Sequence, residues 1–598
     1  METLHHNGVL VPPRYEGKGL TVNVKGNEIR LTTEQEEMAM AWAKKAGTPY
    51  VEDKVFAKNF HKDFSKKLGA EVKPGDVDYS EIISLVEEER EYKNNLPKEE
   101  KKRLAAERKV VREANKEKYG YAFVDGERME LANYVAEPSS IFMGRGKHPM
   151  RGSWKEGPSK EDIVLNLSPD APKPEGNWKE IVWEPEAIWI ARWQDKLSGK
   201  MKYVWFSDSC SFKQQKEIEK FDKAKEFQQN LSRVKRHILR NLESEDLKRR
   251  KTATVCYLID KLKIRVGDEK DPDEADTVGA STLRKEHIQI NGNGTVSFNF
   301  LGKDSVPHIF TTKLPDKVIK NLEEFSSNSE SALFNGVRSS HVSEFLDEVM
   351  TGLSAKVFRT LYASDAVQTK LDRIPVDLGD PEYFKKYVAK MANLEAAKVC
   401  NHKRTIPKRW KASLEKKKER IKVLKQRAKK AQARIQKKTR EQDKRYQMRL
   451  EKQEENMSAA VEKLEEITRQ LEERQKQGKS VEALTKRVRS KRKVIARTRQ
   501  RIKELKAKHK ELVKKQRQRL EKRKQRDKAA LEKQKLNITV QEETRDYNLS
   551  TSLKSYIDPR IYYEWGKKVE YDWKKYYQKA LHKKFSWVDN QEECTENS

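Results

Sequence analysis

The pattern of apolar and polar positions changes its period along the chain. Up to about residue 210, short apolar runs alternate with polar ones, and "AIWIARW" and "MKYVWF" on either side of "QDKLSGK" predict a β-hairpin. From Phe212 onward, apolar residues recur every three or four positions, which predicts a long amphipathic helix through Phe221, Ala224, Phe227, Leu231, Val234, Ile238 and Leu242. Mixed structure is therefore followed by mostly helical structure.

Three shorter stretches predict further elements. Residues 31–47 carry Thr33 as a candidate helix N-cap, Glu36 three positions later and Gly47 as a stop. Residues 253–265, "ATVCYLIDKLKIR", have a broad apolar face and predict another helix. Residues 294–305, "GTVSFNFLGKDS", predict a strand that runs into a turn, and helices are expected from there to about His402.

A long charged segment then follows without any proline between Pro407 and Pro559. Its only glycine between residues 411 and 558 is Gly478, and apolar residues seven positions apart flank that glycine: Leu414, Ile421, Ala428 and Ile435 before it, and Val481, Val488, Ile495 and Ile502 after it. Two long helices that fold back at "QGKS" into an antiparallel coiled coil are the predicted structure. At 1.5 Å per residue, an arm of about 60 residues extends roughly 90 Å.

The charge is concentrated in this segment. The chain of 598 residues has a net charge of +34, and residues 411–540 carry 47 Lys and Arg against 18 Asp and Glu, a net charge of +29. The other 468 residues carry a net charge of only +5. A charged run of this kind is often simply a solvated helix, but the excess of one sign favours a polyanion nearby, with nucleic acid a better candidate than anionic membrane.

Other features exclude several classes of protein. The N-terminus "METLHHNGVL" has no apolar stretch of signal-peptide length, and no run approaches the roughly 18 apolar residues of a spanning helix, so an intracellular protein is expected. The cysteines at 210, 256, 400 and 594 lack zinc spacing and are expected to be reduced structural thiols. "GKS" at 478–480 is not a phosphate-binding loop, because Glu473 stands where that motif needs glycine.

Several blocks in the chain resemble the type IB DNA topoisomerases of the eukaryotic and archaeal kind. The C-terminal block "TSLKSYIDPRI" (551–561) is similar to the segment around the family's active-site tyrosine. Upstream blocks follow in the family's order: "IDKLKIRVGDEK" (259–270), "ADTVGASTLRKEHI" (275–288), "FLGKDS" (300–305), "LSAKVFRTLYAS" (353–364) and "VCNHKRTIPK" (399–408). Near the N-terminus, "PPRYEG", "VFAKNFHKDF" and "MGRGKHPMRG" are similar to the family's DNA clamp. The resemblance covers nearly the whole chain.

The resemblance implies the catalytic residues Tyr556, Arg265, Lys303, Arg359 and His402. A tyrosine oxygen can attack phosphorus and later be displaced by the same sugar hydroxyl that left, so the energy of the phosphodiester is conserved. Two guanidiniums can hold both non-bridging oxygens, a histidine can supply a further donor, and a lysine can protonate the leaving oxygen. The arginines supply the charge that Mg²⁺ supplies elsewhere, so neither metal, ATP nor another cofactor is expected.

Weaker candidates for DNA contact surround these residues. Arg145, Lys147 and His148 sit in a Gly-rich clamp loop that can approach DNA closely, Lys356 is expected on the phosphate backbone, and Asp304 and Ser555 adjoin the catalytic lysine and tyrosine.

The chain departs from the family pattern in two places. Ser555 replaces a common Asn just before the tyrosine, which predicts weaker binding of camptothecin-type drugs. Asp268 replaces Asn two residues after Val266, and the sequence offers no physical account of that acid. The chain also begins without the long charged extension of nuclear members, which favours an archaeal-type protein on a nucleoid; a eukaryotic one would be nuclear.

Two alternatives are open at this point. A tyrosine recombinase shares the Arg/Lys/Arg/His/Tyr chemistry, but recombinases usually carry His where this chain has Lys356, and they keep the tyrosine close after the last histidine. Here 154 positions separate His402 from Tyr556. The other alternative, a non-catalytic DNA-binding coiled-coil protein, would leave the matched blocks as coincidence.

The predicted fold is α+β and multidomain. A mixed N-terminal cap spans residues 1–210, a mostly helical catalytic domain resembling tyrosine recombinases spans 211–408, a basic coiled-coil linker spans 411–540, and a small helical C-terminal domain spans 541–598. The expected partner is double-stranded DNA, bound mostly through phosphates and with little sequence preference, by a monomer. Relaxation of supercoils of both signs through a 3′-phosphotyrosine is the predicted activity.

Overall fold

The structure is a computed structural model of the chain, and it describes residues 1–268 and 276–589, apart from the side chain of Asp304. The described residues form two compact units. The first contains residues 1–378, 391–404 and the chain from 547 onward, and the second contains residues 379–390 and 405–546. The first unit is therefore assembled from segments that lie far apart in the sequence.

Helices make up most of the regular structure. They are α1 Thr33–Ala43, α2 Pro49–Glu52, α3 Lys54–Leu68, α4 Ser80–Asn95, α5 Lys98–Tyr119, α6 Ser211–Asn241, α7 Leu247–Leu262, α8 Asp316–Ser327, α9 Ser339–Asp347, α10 Ala355–Arg373, α11 Glu382–Val399, α12 Trp410–Lys476, α13 Glu482–Glu543, α14 Leu549–Ser555, α15 Pro559–Lys568 and α16 Lys579–Lys584. With the small sheets described next, they give the predicted α+β class.

The strands are short and form several small sheets. They are β1 Leu4–His6, β2 Thr21–Val24, β3 Asn27–Arg30, β4 Val77–Asp78, β5 Tyr121–Val124, β6 Glu127–Glu130, β7 Ser140–Ile141, β8 Trp154–Lys155, β9 Ile163–Asn166, β10 Glu180–Val182, β11 Trp189–Gln194, β12 Met201–Trp205, β13 Ile288–Asn291, β14 Thr295–Gly302 and β15 Val306–Lys313. The sheets have the strand orders β1-β5-β6, β3-β2-β4, β7-β8, β10-β9-β11-β12 and β13-β14-β15. Only the β9–β10 pair among these is parallel.

Three predicted elements are confirmed. The hairpin of β11 and β12 is antiparallel, with Arg192 opposite Tyr203. Helix α6 buries the predicted apolar stripe, and Phe227 on it packs against Phe358 of α10 at 4.5 Å between ring centres. Strand β14 buries Phe298 and Phe300 and runs directly into a turn at 303–305. The apolar core built on α6, α7, α10 and β14 is the platform for the residues discussed below.

Three details of the prediction are wrong. Strand β15, Val306–Lys313, lies where only helices were expected. The N-cap of α1 is Thr32, not Thr33, because the Thr32 side chain accepts from the Gln35 amide and its own amide donates to the Gln35 side chain at 2.8 Å. Helix α7 was expected to reach residue 265, but Lys263 takes the left-handed conformation at φ 57° and ends it. Arg265 therefore lies in irregular chain rather than on a helix.

The second unit is dominated by α12 and α13, which lie side by side in opposite directions. Gln534 near the end of α13 donates to the Lys417 carbonyl near the start of α12, and Gln516 donates to Gln442 farther along. Gly478, at φ 66°, lies in the turn between them. Of the predicted seam, the buried residues are Leu414, Ala428, Ile495 and Ile502, and the others are half-buried. The predicted return at "QGKS" is thus where the chain reverses.

Cys210, Cys256 and Cys400 are buried free thiols, and Cys594 lies outside the described residues. Within the two described ranges, no helix combines the length and the apolar character that a bilayer crossing requires.

Candidate functional site

Tyr556 sits at a corner between two short helices. Helix α14 is capped by Asn548, whose side chain accepts from the Ser550 amide at 3.0 Å, and it ends at Ser555. Helix α15 begins three residues after Tyr556, because Asp558 caps it and Pro559 occupies its first position. The Tyr556 residue is only 3% exposed. The sequence thus determines where the helices break, and the tyrosine occupies the break.

The Asp-Pro-Arg motif after the tyrosine anchors this corner. The Arg560 guanidinium donates to both carboxylate oxygens of Asp558 and, at 2.7 Å, to Asp222 of α6. The Ser364 hydroxyl of α10 donates to the Tyr556 carbonyl at 3.2 Å and accepts from the Asp558 amide at 3.0 Å. The C-terminal segment is therefore tied to two helices of the central region.

Arg359 and His402 flank the Tyr556 ring. The Arg359 guanidinium carbon lies 4.7 Å from the centre of that ring, and the centres of the His402 and Tyr556 rings are 5.3 Å apart. Arg359 is 4% exposed, and its Nη2 donates to the Cys400 carbonyl at 2.7 Å and to His402 Nε2 at 3.2 Å. Its Nε is buried and has no hydrogen-bond partner among the described residues, so one donor of the fork is unused.

These contacts determine the tautomer of His402. Because an arginine can only donate, His402 Nε2 must accept, and the Nδ1 of a neutral ring then carries the proton and donates to Ser552 Oγ at 2.8 Å. Burial, followed by the positive charges of Arg359 and Arg265, lowers the pKa of His402 to about 3. The ring is therefore neutral, and the Ser552 hydroxyl can partner either tautomer.

One cavity of about 530 Å³ brings together most of the predicted residues. Arg265, Lys303, Lys356, Arg359 and Tyr556 line it, together with Val266, Gly267, Asp268, Thr277, Val278, Gly279 and Ala355. His402 is not among the lining residues and lies behind them, against Arg359 and the Tyr556 ring. A tyrosine, two arginines and two lysines around one cavity are a suitable set for binding a phosphodiester.

Close packing of two backbone segments places Arg265. The Ala280 amide donates to the Arg265 carbonyl at 2.8 Å. A Cβ at Gly279 would come within 2.5 Å of the Gly267 backbone, so only glycine permits this approach. The structure also explains Asp268, whose carboxylate accepts from the amide of Ser339 at 2.9 Å. Because Ser339 is the first residue of α9, this acid caps a helix and compensates its N-terminal dipole.

Lys303 lies on the turn between β14 and β15. Gly302 pairs with Val306 across the hairpin, and Ser305 takes φ 57° to close the turn. The side chain of Asp304 lies outside the described part of the structure. A Cβ at Gly146 would overlap the Ser305 hydroxyl, so the Gly-rich loop of the N-terminal region touches the turn that carries Lys303.

The loop residues predicted to contact DNA are placed near this turn. Arg145 and Lys147 are exposed, and His148 is half-buried. The His148 ring packs edge-on against Phe142 at 4.9 Å, and its Nδ1 accepts from the Met150 amide at 3.2 Å. His148 therefore shapes the loop on which the exposed residues Arg145 and Lys147 lie.

Some residues at the site were not identified from the sequence. Lys220 contacts the Ser555 carbonyl, and Asp222 contacts Arg560. Ser364 contacts the Tyr556 backbone, and Ser552 contacts His402. Ser364 and Ser552 lie inside matched blocks, so their positions were in view but their roles were not. Lys220 and Asp222 lie in a helix whose pattern shows only its buried stripe.

Comparison with known families gives three matches along the chain. The model described as "Eukaryotic DNA topoisomerase I, DNA binding fragment" matches residues 1–206, and the one described as "Eukaryotic DNA topoisomerase I, catalytic core" matches residues 209–435. The "C-terminal topoisomerase domain" matches residues 528–595. Together these matches cover most of the chain and include Tyr556 and the residues around it.

Individual relatives agree with the family matches. The chain is 36% identical to "DNA topoisomerase 1 beta" of Arabidopsis thaliana over 435 residues, which are 71% of this chain and 47% of the relative. It is 34% identical to "DNA topoisomerase 1" of Candidozyma auris over 439 residues, 71% of this chain and 58% of the relative. It is 33% identical to "DNA topoisomerase 1" of Homo sapiens over 434 residues, 69% of this chain and 56% of the relative. The chain spans about half the length of the curated relatives it matches.

Proposed function

The chain belongs to the type IB DNA topoisomerase family, and we propose that it relaxes supercoiled DNA by cutting and rejoining one strand through Tyr556. The observation that carries the proposal is the cavity lined jointly by Tyr556, Arg265, Arg359 and Lys303. These side chains come from segments up to 291 positions apart, between residues 265 and 556, and the fold brings them to one place.

The proposed reaction begins with attack of the Tyr556 oxygen on a phosphorus of the DNA backbone. The new bond is a 3′-phosphotyrosine, the broken bond is that between phosphorus and the 5′ oxygen, and the tyrosine proton passes to solvent. Lys303 gives a proton to the leaving oxygen. Rejoining is the same step in reverse, so no ATP and no metal are required for the energy balance.

The arginines and the histidine would stabilise the charge on the phosphate. Arg359 lines the cavity, so its guanidinium can donate to a non-bridging oxygen there. Arg265 lines the same cavity, from the irregular segment that follows α7. For His402 to donate through Nε2, its proton must move from Nδ1, and Ser552 can then donate to Nδ1 instead. We therefore assign Ser552 the role of supporting both tautomers.

We also propose that successive parts of the chain form domains with different roles. Residues 1–210 form a cap and 211–408 a catalytic domain like that of tyrosine recombinases, and the two close around duplex DNA as a clamp. The contact of the Gly146 loop with the turn at Ser305 supports such a closure. Residues 411–540 form an antiparallel coiled-coil linker, and 541–598 form a domain that delivers Tyr556.

Double-stranded DNA is the proposed partner, held mainly through its phosphates by a monomer inside the cell. The net charge of +29 on residues 411–540 supports this, since such a surface gains affinity by releasing counterions from DNA. The torsion stored in the DNA would drive rotation of the free end after cleavage.

The test is plasmid relaxation in EDTA without ATP, on positively and negatively supercoiled DNA. Wild-type protein should relax both, and Tyr556→Phe should relax neither, because it lacks the attacking oxygen. Tyr563→Phe is the matched control, since that tyrosine lies in the neighbouring helix and packs against Lys567. A strict need for Mg²⁺ or ATP, or full activity of Tyr556→Phe, would contradict the proposal and make recombination assays the next step.

A further inference from the structure

The main chain on both sides of Tyr556 is held by two side chains from the central helices. Lys220 of α6 donates from Nζ to the carbonyl of Ser555, the residue before the tyrosine, at 3.3 Å. Ser364 of α10 donates to the carbonyl of Tyr556 and accepts from the amide of Asp558. Three successive peptide units around the tyrosine are therefore fixed from outside their own segment.

These contacts are made where water has little access. Tyr556 is 3% exposed and Asp558 4% exposed, so their backbone groups need protein partners. Ser364 satisfies two of them with one hydroxyl. The Lys220 side chain is 14% exposed, and apart from Ser555 it contacts Glu217 one turn back on the same helix and, at 4.0 Å from the ring centre, Phe221. No role in the proposed chemistry accounts for a lysine in this place.

We propose that Lys220 and Ser364 are positioning residues that hold the main chain at Tyr556 so that its oxygen stays in line with the scissile phosphate. The inference rests on the proposed function of Tyr556 as the nucleophile. Neither residue lines the cavity, and each acts through the backbone on which the tyrosine is mounted. A displacement of about 1 Å at a reacting atom can slow a reaction by about 100-fold. Loss of either backbone contact could therefore lower the cleavage rate measurably.

The kinetics of such residues differ from those of residues that merely support folding. Cleavage and rejoining pass through the same transition state, so a positioning defect slows both and leaves their equilibrium nearly unchanged. A folding defect instead lowers the fraction of molecules that react, without changing the rate of those that do. Rate and amplitude of a single-turnover reaction therefore separate the two explanations.

The experiment is single-turnover cleavage of a duplex oligonucleotide whose cut end diffuses away, with the full chain. Lys220→Met and Ser364→Ala should each cleave about 10- to 100-fold more slowly, at wild-type amplitude and with DNA affinity within about twofold of wild type. Lys220→Arg and Ser364→Thr keep the donors and should recover most of the rate. A cavity of about 200 Å³ lined by Ser364 has room for the added methyl group.

Two matched controls are available on the same or a neighbouring helix. Lys223 of α6 also pairs with a glutamate three residues away and donates to a backbone carbonyl, that of Thr351, at 3.0 Å. Ser343 of α9 donates to the Ser339 carbonyl within its own helix. Lys223→Met and Ser343→Ala should cleave at the wild-type rate, because neither residue contacts the segment that carries Tyr556.

A pH profile gives a second readout for the lysine. Burial lowers the pKa of Lys220 to about 8, against the effect of Glu217, with Lys584 of α16 and Lys356 of α10 lowering it further. As the pH rises through 8, the charged donor is lost from the wild type but not from Lys220→Arg. The ratio of the wild-type rate to the Lys220→Arg rate should therefore fall between pH 7 and 9.

The possible outcomes decide between the explanations. Wild-type cleavage rates for Lys220→Met and Ser364→Ala, or a loss confined to amplitude, would overturn the positioning role even if Tyr556→Phe is inactive. A ratio of the wild-type rate to the Lys220→Arg rate that rises between pH 7 and 9 would overturn it for Lys220. If Tyr556→Phe itself cleaves DNA, the proposed function is wrong. The Tyr556→Phe variant alone shows this, so the result is distinct from any result with the Lys220 and Ser364 variants.

Discussion

The guanidinium of Arg359 lies against the ring of Tyr556, with 4.7 Å between the guanidinium carbon and the ring centre. The same side chain is fixed by the Cys400 carbonyl and by His402, while its Nε has no partner in the described structure. A planar guanidinium that rests on the Tyr556 ring while it donates to two fixed acceptors is a geometry that a lysine cannot reproduce. Arg359 therefore contacts both the proposed nucleophile and His402 and also lines the cavity proposed to hold the phosphate.

Arg359→Lys should consequently lose most of the activity although it keeps the charge. We expect single-turnover cleavage to fall by about 100- to 1,000-fold, since a preorganised donor at the phosphate and the support of the tyrosine ring are removed together. Arg373→Lys, at the exposed end of the same helix, is the control and should cleave normally. A fully active Arg359→Lys would show that charge alone is sufficient.

Local sequence patterns predict the helices and strands better than they predict the contacts at the site. The apolar stripe predicts α6, and alternation predicts the β11–β12 hairpin, because each pattern repeats over many residues. Helix α7 ends early because Lys263 adopts a left-handed conformation. The dihedral angle of a single residue cannot be predicted from the spacing of apolar residues. Element type is therefore better predicted than element ends.

For the site, Tyr556, Arg265, Lys303 and Arg359 line one cavity, and their catalytic roles stay predictions from the resemblance. The supporting contacts could not be predicted in this way. Ser364 and Lys220 reach the segment around Tyr556 across 192 and 335 sequence positions, and such pairs leave no spacing that a single sequence reveals.

Folding stability should depend on pH through His402. Its pKa in the folded chain is about 3, below the ordinary value of 6.5, so the unfolded chain binds more protons between these values. Stability from this group is present above pH 6.5 and is lost as the pH falls through the window, by roughly 1–2 kcal/mol at pH 5. His6 and His308, whose pKa values burial lowers to about 4, act in the same direction.

The measurement is the drop in Tm between pH 7 and pH 5. His402→Gln should show a smaller drop than wild type, because it has no ring to protonate. His5→Gln is the control, since the His5 side chain is 38% exposed and is paired with Asp170 at the surface. Equal drops for wild type and His402→Gln would contradict a buried neutral imidazole.

Ser555 should make the cleaved complex a poor target for camptothecin-type drugs. It stands directly before Tyr556, where the family often has Asn. A serine side chain is shorter than that of asparagine and has no amide to offer at the cleaved junction. We expect weak drug-induced trapping of the covalent complex by wild type, and several-fold stronger trapping by Ser555→Asn. Ser550→Asn, on the exposed start of α14, should behave as wild type. Strong trapping of the wild type would refute the idea.

The basic surface of the α12–α13 hairpin should set the salt dependence of DNA binding. Arg434 and Lys438 of α12 and Arg519 and Lys522 of α13 line one groove between the helices. If the hairpin faces the DNA downstream of the cut, changing these four to Gln should reduce the slope of log affinity against log salt by about 0.9 for each phosphate that is no longer neutralised. It should also speed rotation, because a drag on the downstream duplex is removed.

Acidic residues of the same hairpin provide the matched control. Glu462, Glu465, Glu472 and Glu473 are exposed on the distal part of α12, and changing all four to Gln alters the charge by the same amount in the opposite sense. That variant should leave the salt slope no smaller than in wild type, because every cation that faces a phosphate is kept. A complementary test deletes residues 411–540 and supplies 541–598 as a separate chain. If relaxation rate and processivity are then unchanged across salt concentrations, the hairpin has no part in holding DNA, and its charge serves only to keep two long helices solvated.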